Sequence, residues 1–216
     1  MYNYLTIIRK SNIICLSKNT RRASSCVFLL KSGGDIMVMT YTQCLQAYGT
    51  DYQIKKKMKE GRLFQKEKGL YSDTKFCSDL EVISIKYPNA VFSGKSAYYY
   101  YGLTDVISPK YMLTTKREDS RIKNEAIKQN FAKDDIYKFG ITNIEYQNTT
   151  IRIYSKERLL VDLIRFRSRY SLDYYKEIIS GYRNILDELD FFEVEDYAML
   201  FKNGDKILNT IQMEVM

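Results

Sequence analysis

The chain has 216 residues, 45% of them hydrophobic, and carries 34 Lys and Arg against 26 Asp and Glu for a formal net charge of +8. That apolar share is enough to bury a core, and the length allows one large domain or two small ones. With no His in the chain, and four Cys that form no C-x-x-C pair, ordinary zinc sites and histidine-based catalysis are excluded.

The positive charge is unevenly placed. Residues 1–39 hold six Lys and Arg against one Asp, residues 40–75 hold eight against four, and residues 76–216 hold 20 against 21. All of the excess lies in the first third, which favours a basic module for nucleic acid ahead of a neutral body. The bland alternative is a solvated lysine face. Cys15, Cys26, Cys44 and Cys77 are widely spaced and read as reduced, intracellular thiols. No run of 18 apolar residues marks a membrane span.

Residues 1–36 read as a segment apart: basic, Ser-rich and almost free of acid. A transit-like sequence and a DNA-binding arm both fit. A third reading is translated leader, because Ser32-Gly33-Gly34-Asp35 can be encoded through a strong bacterial ribosome-binding sequence just before Met37 and Met39. The expectation is a poorly packed extension over residues 1–38.

Thr40-Tyr41-Thr42-Gln43 has the pattern of a helix capping box, followed by Tyr41, Cys44, Leu45 and Tyr48 on one helical face and Gly49 as a stop. Thr50-Asp51-Tyr52-Gln53 repeats the pattern at once, so a second helix starts after a tight turn and runs to Gly61. At 100° per residue, Ile54 and Met58 share its buried side, Tyr52, Gln53, Lys56 and Lys59 lie opposite, and Lys55 and Lys57 flank them. Two short helices about a Gly-containing turn form a helix-turn-helix. Arg62–Lys66, a Glu67-Lys68-Gly69 turn and Leu70–Ser72 then read as a hairpin wing, with Leu63 and Leu70 closing a small core.

A minimal winged helix-turn-helix over residues 39–75 is therefore expected, with double-stranded DNA as its partner. Gln53 can pair with adenine in the major groove, and Lys55, Lys56, Lys57 and Lys59 neutralise phosphates. Tyr52, Arg62, Lys66 and Lys68 complete the expected DNA-binding set. Capping alone for Gln53, and packing between domains for Tyr52, are the competing readings.

Residues 76–216 alternate between helix and strand and read as a larger α+β domain. Helices are expected over Asp79–Tyr87, Ser96–Tyr101, from Ser155, near 172–187, near 193–201 and from about 205. Strands are expected at Ala90–Ser93 and Tyr111–Thr115, with a hairpin of Ile144–Tyr146 and Thr150–Tyr154. Gly94-Lys95-Ser96 matches the end of a phosphate-binding loop, but Asn89 stands where its first glycine belongs. Asp134-Asp135 reads as a helix cap or turn, Tyr98–Tyr101 mostly as packing between domains, and Arg158 with Asp162 as an i,i+4 ion pair. No catalytic, metal or cofactor residues stand out.

Three passages in order give the chain a resemblance to the AbiEi-type antitoxins of bacterial abortive-infection, or type IV toxin–antitoxin, systems. They are Glu60–Tyr71 within the winged helix, Phe92–Ala97 leading to Gly102-Leu103-Thr104, and Ile151–Ser155 with Glu157–Asp162. The chain departs from the commoner pattern at Leu159, where a Thr often follows the Glu-Arg pair, and in its N-terminal extension. The resemblance implies a cytoplasmic, nucleoid-associated operon autorepressor that binds promoter inverted repeats, with antitoxin activity in the second domain. It also implies a nucleotidyltransferase-like toxin as functional partner, countered without stable binding, and no enzymatic activity here. A plain winged-helix regulator with a ligand-sensing or dimerising second domain is the alternative, and a DNA-targeted nuclease a more distant one.

Overall fold

The computed structural model describes residues 38–216. The expectations for residues 1–36 lie outside the described residues, and the first strand begins at Val38, inside the expected extension.

The N-terminal part is built from β1 (Val38–Thr40), α1 (Tyr41–Tyr48), α2 (Asp51–Lys59), β2 (Phe64–Glu67) and β3 (Leu70–Ser72). Thr40 accepts from the Gln43 amide while the Gln43 side chain accepts from the Thr40 amide, so the expected capping box starts α1. Gly49 ends it at φ +85, a conformation that costs a residue with a Cβ dearly. Thr50 accepts from the Gln53 amide and caps α2, without the reciprocal side-chain bond.

The strands form an antiparallel sheet in the order β1-β3-β2, with a register shift between Gln65 and Glu67. Strand β1 has no counterpart in the expected elements: it has three residues, the last of them the Thr40 cap itself, too few to carry a periodic signal. Met39, Cys44, Ile54 and Leu63 are buried together between the helices and the sheet. Burial pushes the Cys44 thiol up to about 11, as expected for a small apolar residue in a core. Leu70 departs from expectation. It joins Val38 and Val82 on the other side of the sheet, against α3 (Asp79–Lys86), because neighbouring strand residues point to opposite faces. The Val38 amide also donates to Glu81 at 3.1 Å, and Lys86 pairs with Glu67.

The larger sheet comprises β4 (Val91–Phe92), β5 (Tyr111–Lys116), β6 (Ile127–Ala132), β7 (Ile141–Tyr146) and β8 (Thr149–Tyr154), ordered β6-β5-β4-β8-β7. Pairs β4–β8 and β5–β6 are parallel, while β4–β5 and β7–β8 are antiparallel. The expected β7–β8 hairpin turns at Gln147 and Asn148, both with positive φ, the geometry that matches strand twist. Around the sheet lie α4 (Gly94–Tyr100), α5 (Asp134–Tyr137), α6 (Lys156–Arg165), α7 (Leu172–Asn184), α8 (Phe191–Met199) and α9 (Gly204–Glu214). The chain is thus α+β. Asp134 and Asp135 open α5, and Asp134 pairs with Lys116 at 2.5 Å.

Helix α6 is the axis of this core. Ser155 caps it, and Leu159, Leu160, Val161 and Leu163 are fully buried, with Ile164 packed at the margin. Tyrosines do much of the remaining packing with their hydroxyls satisfied: Tyr98 donates to Leu159 O, Tyr182 to Lys156 O and Tyr154 to Tyr137 O. Tyr98, Tyr100 and Tyr101 therefore pack in or against the larger core, with Tyr98 wholly buried, and not between domains, while Tyr99 lies beside the Tyr100 and Tyr146 rings. Among the described residues no helix is long and apolar enough to cross a membrane.

Arg158 is 3% exposed and reaches Asp162 at 3.1 Å as expected, but Asp162 also takes Arg165 at 2.6 Å on its other oxygen. Removing that carboxylate leaves a buried guanidinium without its partner, at a cost of about 3–5 kcal/mol. Asp162→Ala should lower the urea midpoint accordingly, and Asp162→Asn, which keeps an acceptor, by less. An Asp162→Ala midpoint equal to that of the unaltered chain would mean that the network does not hold α6.

Candidate nucleic-acid interface

Helix α2 is polar on every side except one. In its nine residues only Ile54 is buried, with Met58 half-buried beside it, and that contact sets the rotation of the whole helix. Once Ile54 faces Cys44 and Leu63, the 100° step carries Tyr52, Gln53, Lys56 and Lys59 to the outer side. All four are exposed, and Tyr52 keeps 72% of its surface open, too much for a residue packed between domains.

The flanking lysines are partly engaged. Lys55 pairs with Asp51 at 2.6 Å, and this hydrogen bond holds the Asp51 carboxyl below its usual range and raises the Lys55 ammonium. Asp51 also accepts from the Tyr41 hydroxyl at 3.4 Å, which ties the first turn of α2 to α1. Lys57 lies over the Tyr48 ring at 4.9 Å, turned inward along α1. Among the described residues, Lys56 and Lys59 make no ion pair, so their charge is fully available.

The hairpin divides its charges in the same way. Lys68 is exposed at the tip beside Gly69, whose φ of +82 allows the tight turn. Arg62 is exposed ahead of β2, with Glu60 3.9 Å away. Lys66 folds back, donating to the Lys75 carbonyl and lying 5.9 Å from the Phe64 ring, so it does not share the tip with Lys68. Lys75 itself, over the Phe76 ring, adds a cation that the sequence reading left out; its place just past the hairpin was the available signal.

The structure thus gathers Tyr52, Gln53, Lys56 and Lys59 on one face, with Lys68 on the hairpin tip as a separate exposed cation. Lys57 and Lys66 point elsewhere, and Lys55 is shared with a carboxylate. Such a surface offers hydrogen-bonding side chains and uncompensated positive charge on one short helix. Among the described residues no cluster of three or more His, Cys, Asp or Glu could hold a metal ion.

No protein-family model matches the chain, and no curated protein matches it in sequence. Among solved structures, the RV2827C protein from Mycobacterium tuberculosis is similar with a TM-score of 0.55, at 13% identity over 78% of this chain and 68% of that one. At that identity the likeness concerns the fold alone.

Because the face depends on α2 being helical from its first turn, its cap is a sensitive point. Thr50→Ala should cost about 1 kcal/mol and speed amide exchange across Asp51–Lys59, whereas Thr50→Ser should restore protection. Equal exchange in all three proteins would show that the cap does not organise the face.

Proposed function

We propose that residues 39–75 act as a minimal winged helix-turn-helix on duplex DNA, and that the chain is an autorepressor and antitoxin of the AbiEi type. The observation that carries the DNA-binding part is the buried Ile54, which leaves Gln53 and two uncompensated lysines together on the outer side of a short helix. Support for the antitoxin part comes from the ordered passages at Glu60–Tyr71, Phe92–Thr104 and Ile151–Asp162 that resemble that family.

On this reading α2 enters the major groove, which is wide enough for a helix. Gln53 reads an adenine edge through its amide, a contact worth about 1–3 kcal/mol of discrimination. Lys56 and Lys59 meet phosphates on either side, and Tyr52 donates to a phosphate or packs on a thymine methyl. Lys68 on the hairpin tip reaches the flanking backbone. The larger domain supplies the antitoxin activity against a nucleotidyltransferase-like toxin encoded beside it, without a stable complex. The chain would work in the cytoplasm at the nucleoid, and no catalytic step is assigned to it.

Binding to the DNA upstream of its own reading frame should weaken steeply with salt, since each neutralised phosphate releases counterions. Lys56→Ala and Lys59→Ala should each reduce the log–log salt slope by roughly one unit, and Lys57→Ala should leave it nearly unchanged. A slope indifferent to Lys56 and Lys59 would remove α2 from the interface. Gln53→Ala should instead flatten sequence preference at one base pair; uniform weakening on every sequence would confine Gln53 to the helix cap.

The antitoxin role is tested by co-expression with the neighbouring gene. The full chain, and its Lys56→Ala/Lys59→Ala variant, should both restore growth to cells making the toxin. Failure of rescue with promoter binding intact would favour a plain regulator.

A further inference from the structure

The larger unit is close to neutral, with 20 Lys and Arg against 21 Asp and Glu over residues 76–216, yet its charges are sorted. One cavity of about 590 Å³, within the usual range for small-molecule sites, opens between β5, β6, α4 and α6. Lys95, Arg158 and Arg165 line its inner wall, and Lys110, Lys128, Lys133 and Arg169 its exposed rim. Asp162 is the one carboxylate lining it, and both of its oxygens are already taken by Arg158 and Arg165. Seven cations around one saturated carboxylate, in a body whose total charge is close to zero, leave a strong local surplus of positive charge.

That surplus is uncompensated where it matters. Among the described residues Lys95, Lys110, Lys128, Lys133 and Arg169 make no ion pair. Burial holds the Arg165 guanidinium below its usual range even with Asp162 in contact. Flat apolar surfaces accompany the cations: Phe131 is 48% exposed on β6 and Tyr170 meets Tyr98 edge-on at 6.2 Å, while the Phe166 ring is covered by Arg165 at 4.8 Å and Arg169 at 4.1 Å. Thr114 donates to Ser93 at 2.8 Å on the polar part of the wall.

The site is not a phosphate-binding loop despite Gly94-Lys95-Ser96. Lys95 reaches over the Tyr174 ring at 4.8 Å, and Ser96 accepts from the Met112 amide at 2.8 Å, so neither side chain curls around a loop. What the cavity offers is converging cations with ring faces beside them, in a space within the range of small-molecule sites. A base pair inside a duplex could not present its ring there, but an unpaired base could.

We propose that this cavity binds a nucleoside phosphate, its phosphates on the lysine and arginine rim and its base against the Tyr170 and Phe131 rings. The moiety could be a free nucleotide or the unpaired end of an RNA strand; the chemistry recognised is the same. This site is separate from α2 and does not depend on the duplex-binding role assigned to that helix.

The test is fluorescence anisotropy on the full chain, using a fluorescein-labelled single-stranded RNA and a fluorescent GTP analogue. The unaltered chain should bind at least one probe, and Lys128→Glu/Arg169→Glu should weaken binding by about tenfold or more. Lys56→Glu/Lys59→Glu, on α2, should leave it unchanged. Displacement of the RNA by unlabelled GTP assigns the free nucleotide; displacement by unlabelled RNA alone assigns the strand end. All four altered residues are exposed, so thermal unfolding should match that of the unaltered chain, and Lys133→Glu serves as a second rim variant if it does not. Binding of neither probe, loss of binding only in the α2 variant, or equal competition by duplex DNA would overturn the proposal. Promoter binding, measured alongside, reports on α2 separately.

Discussion

The burial of one side chain, Ile54, fixes what the N-terminal part of this protein can present to a partner. Helix α2 is too short and too polar to be stable alone, since a lone helix of this length is marginal in water. It exists because Ile54 closes the small core of Met39, Cys44 and Leu63 while Thr50 caps its first turn. The same contact fixes the helix phase, so four residues chosen by geometry become one exposed face. The small core is thinly built, and its support from β1 and α3 through Val38, Leu70 and Val82 anchors it to the rest of the chain.

The larger unit rests on a different device. Helix α6 is buried along most of its length and carries Arg158, Asp162 and Arg165 on the side that meets the cavity. One carboxylate serving two guanidiniums steadies the helix and still leaves net positive charge facing the open space. The close fit extends to Gly140, where a Cβ would come within 2.6 Å of the Arg158 Cβ. The two cationic surfaces of the protein thus differ in kind. The α2 face is exposed on one short helix, whereas the cavity is a recess lined by cations and rings.

Local signals were readable in the sequence, and partnerships across the chain were not. The Thr40–Gln43 capping box, the Gly49 stop, the rotation of α2 and the Ser155 cap each follow from residues three or four apart, and all are present in the structure. Strand β6 went unseen because Ile127-Lys128-Gln129-Asn130-Phe131-Ala132 lies at a sheet edge and lacks a clean alternation of apolar and polar residues. Leu70 packs with Val38 and Val82, which come from either side of it in sequence, so its local pattern cannot reveal which cluster it joins. Tyr98 follows the same rule: only tertiary packing shows that its hydroxyl donates to the Leu159 carbonyl in the core. The inward turn of Lys57 and Lys66 depends on rings and carbonyls that helix periodicity cannot supply. The cavity was hidden most deeply, because its cations come from five separate segments of a region whose total charge is nearly zero.

The central claim is that the outer face of α2, with the hairpin tip, docks on duplex DNA. Lysine footprinting by reductive methylation tests it directly, comparing the free chain with the chain saturated by duplex DNA from upstream of its own reading frame. The account predicts protection of Lys56, Lys59 and Lys68, with little change at Lys57, Lys66, Lys110 and Lys128. Protection confined to Lys110 and Lys128, with Lys56 and Lys59 still freely modified, would contradict it.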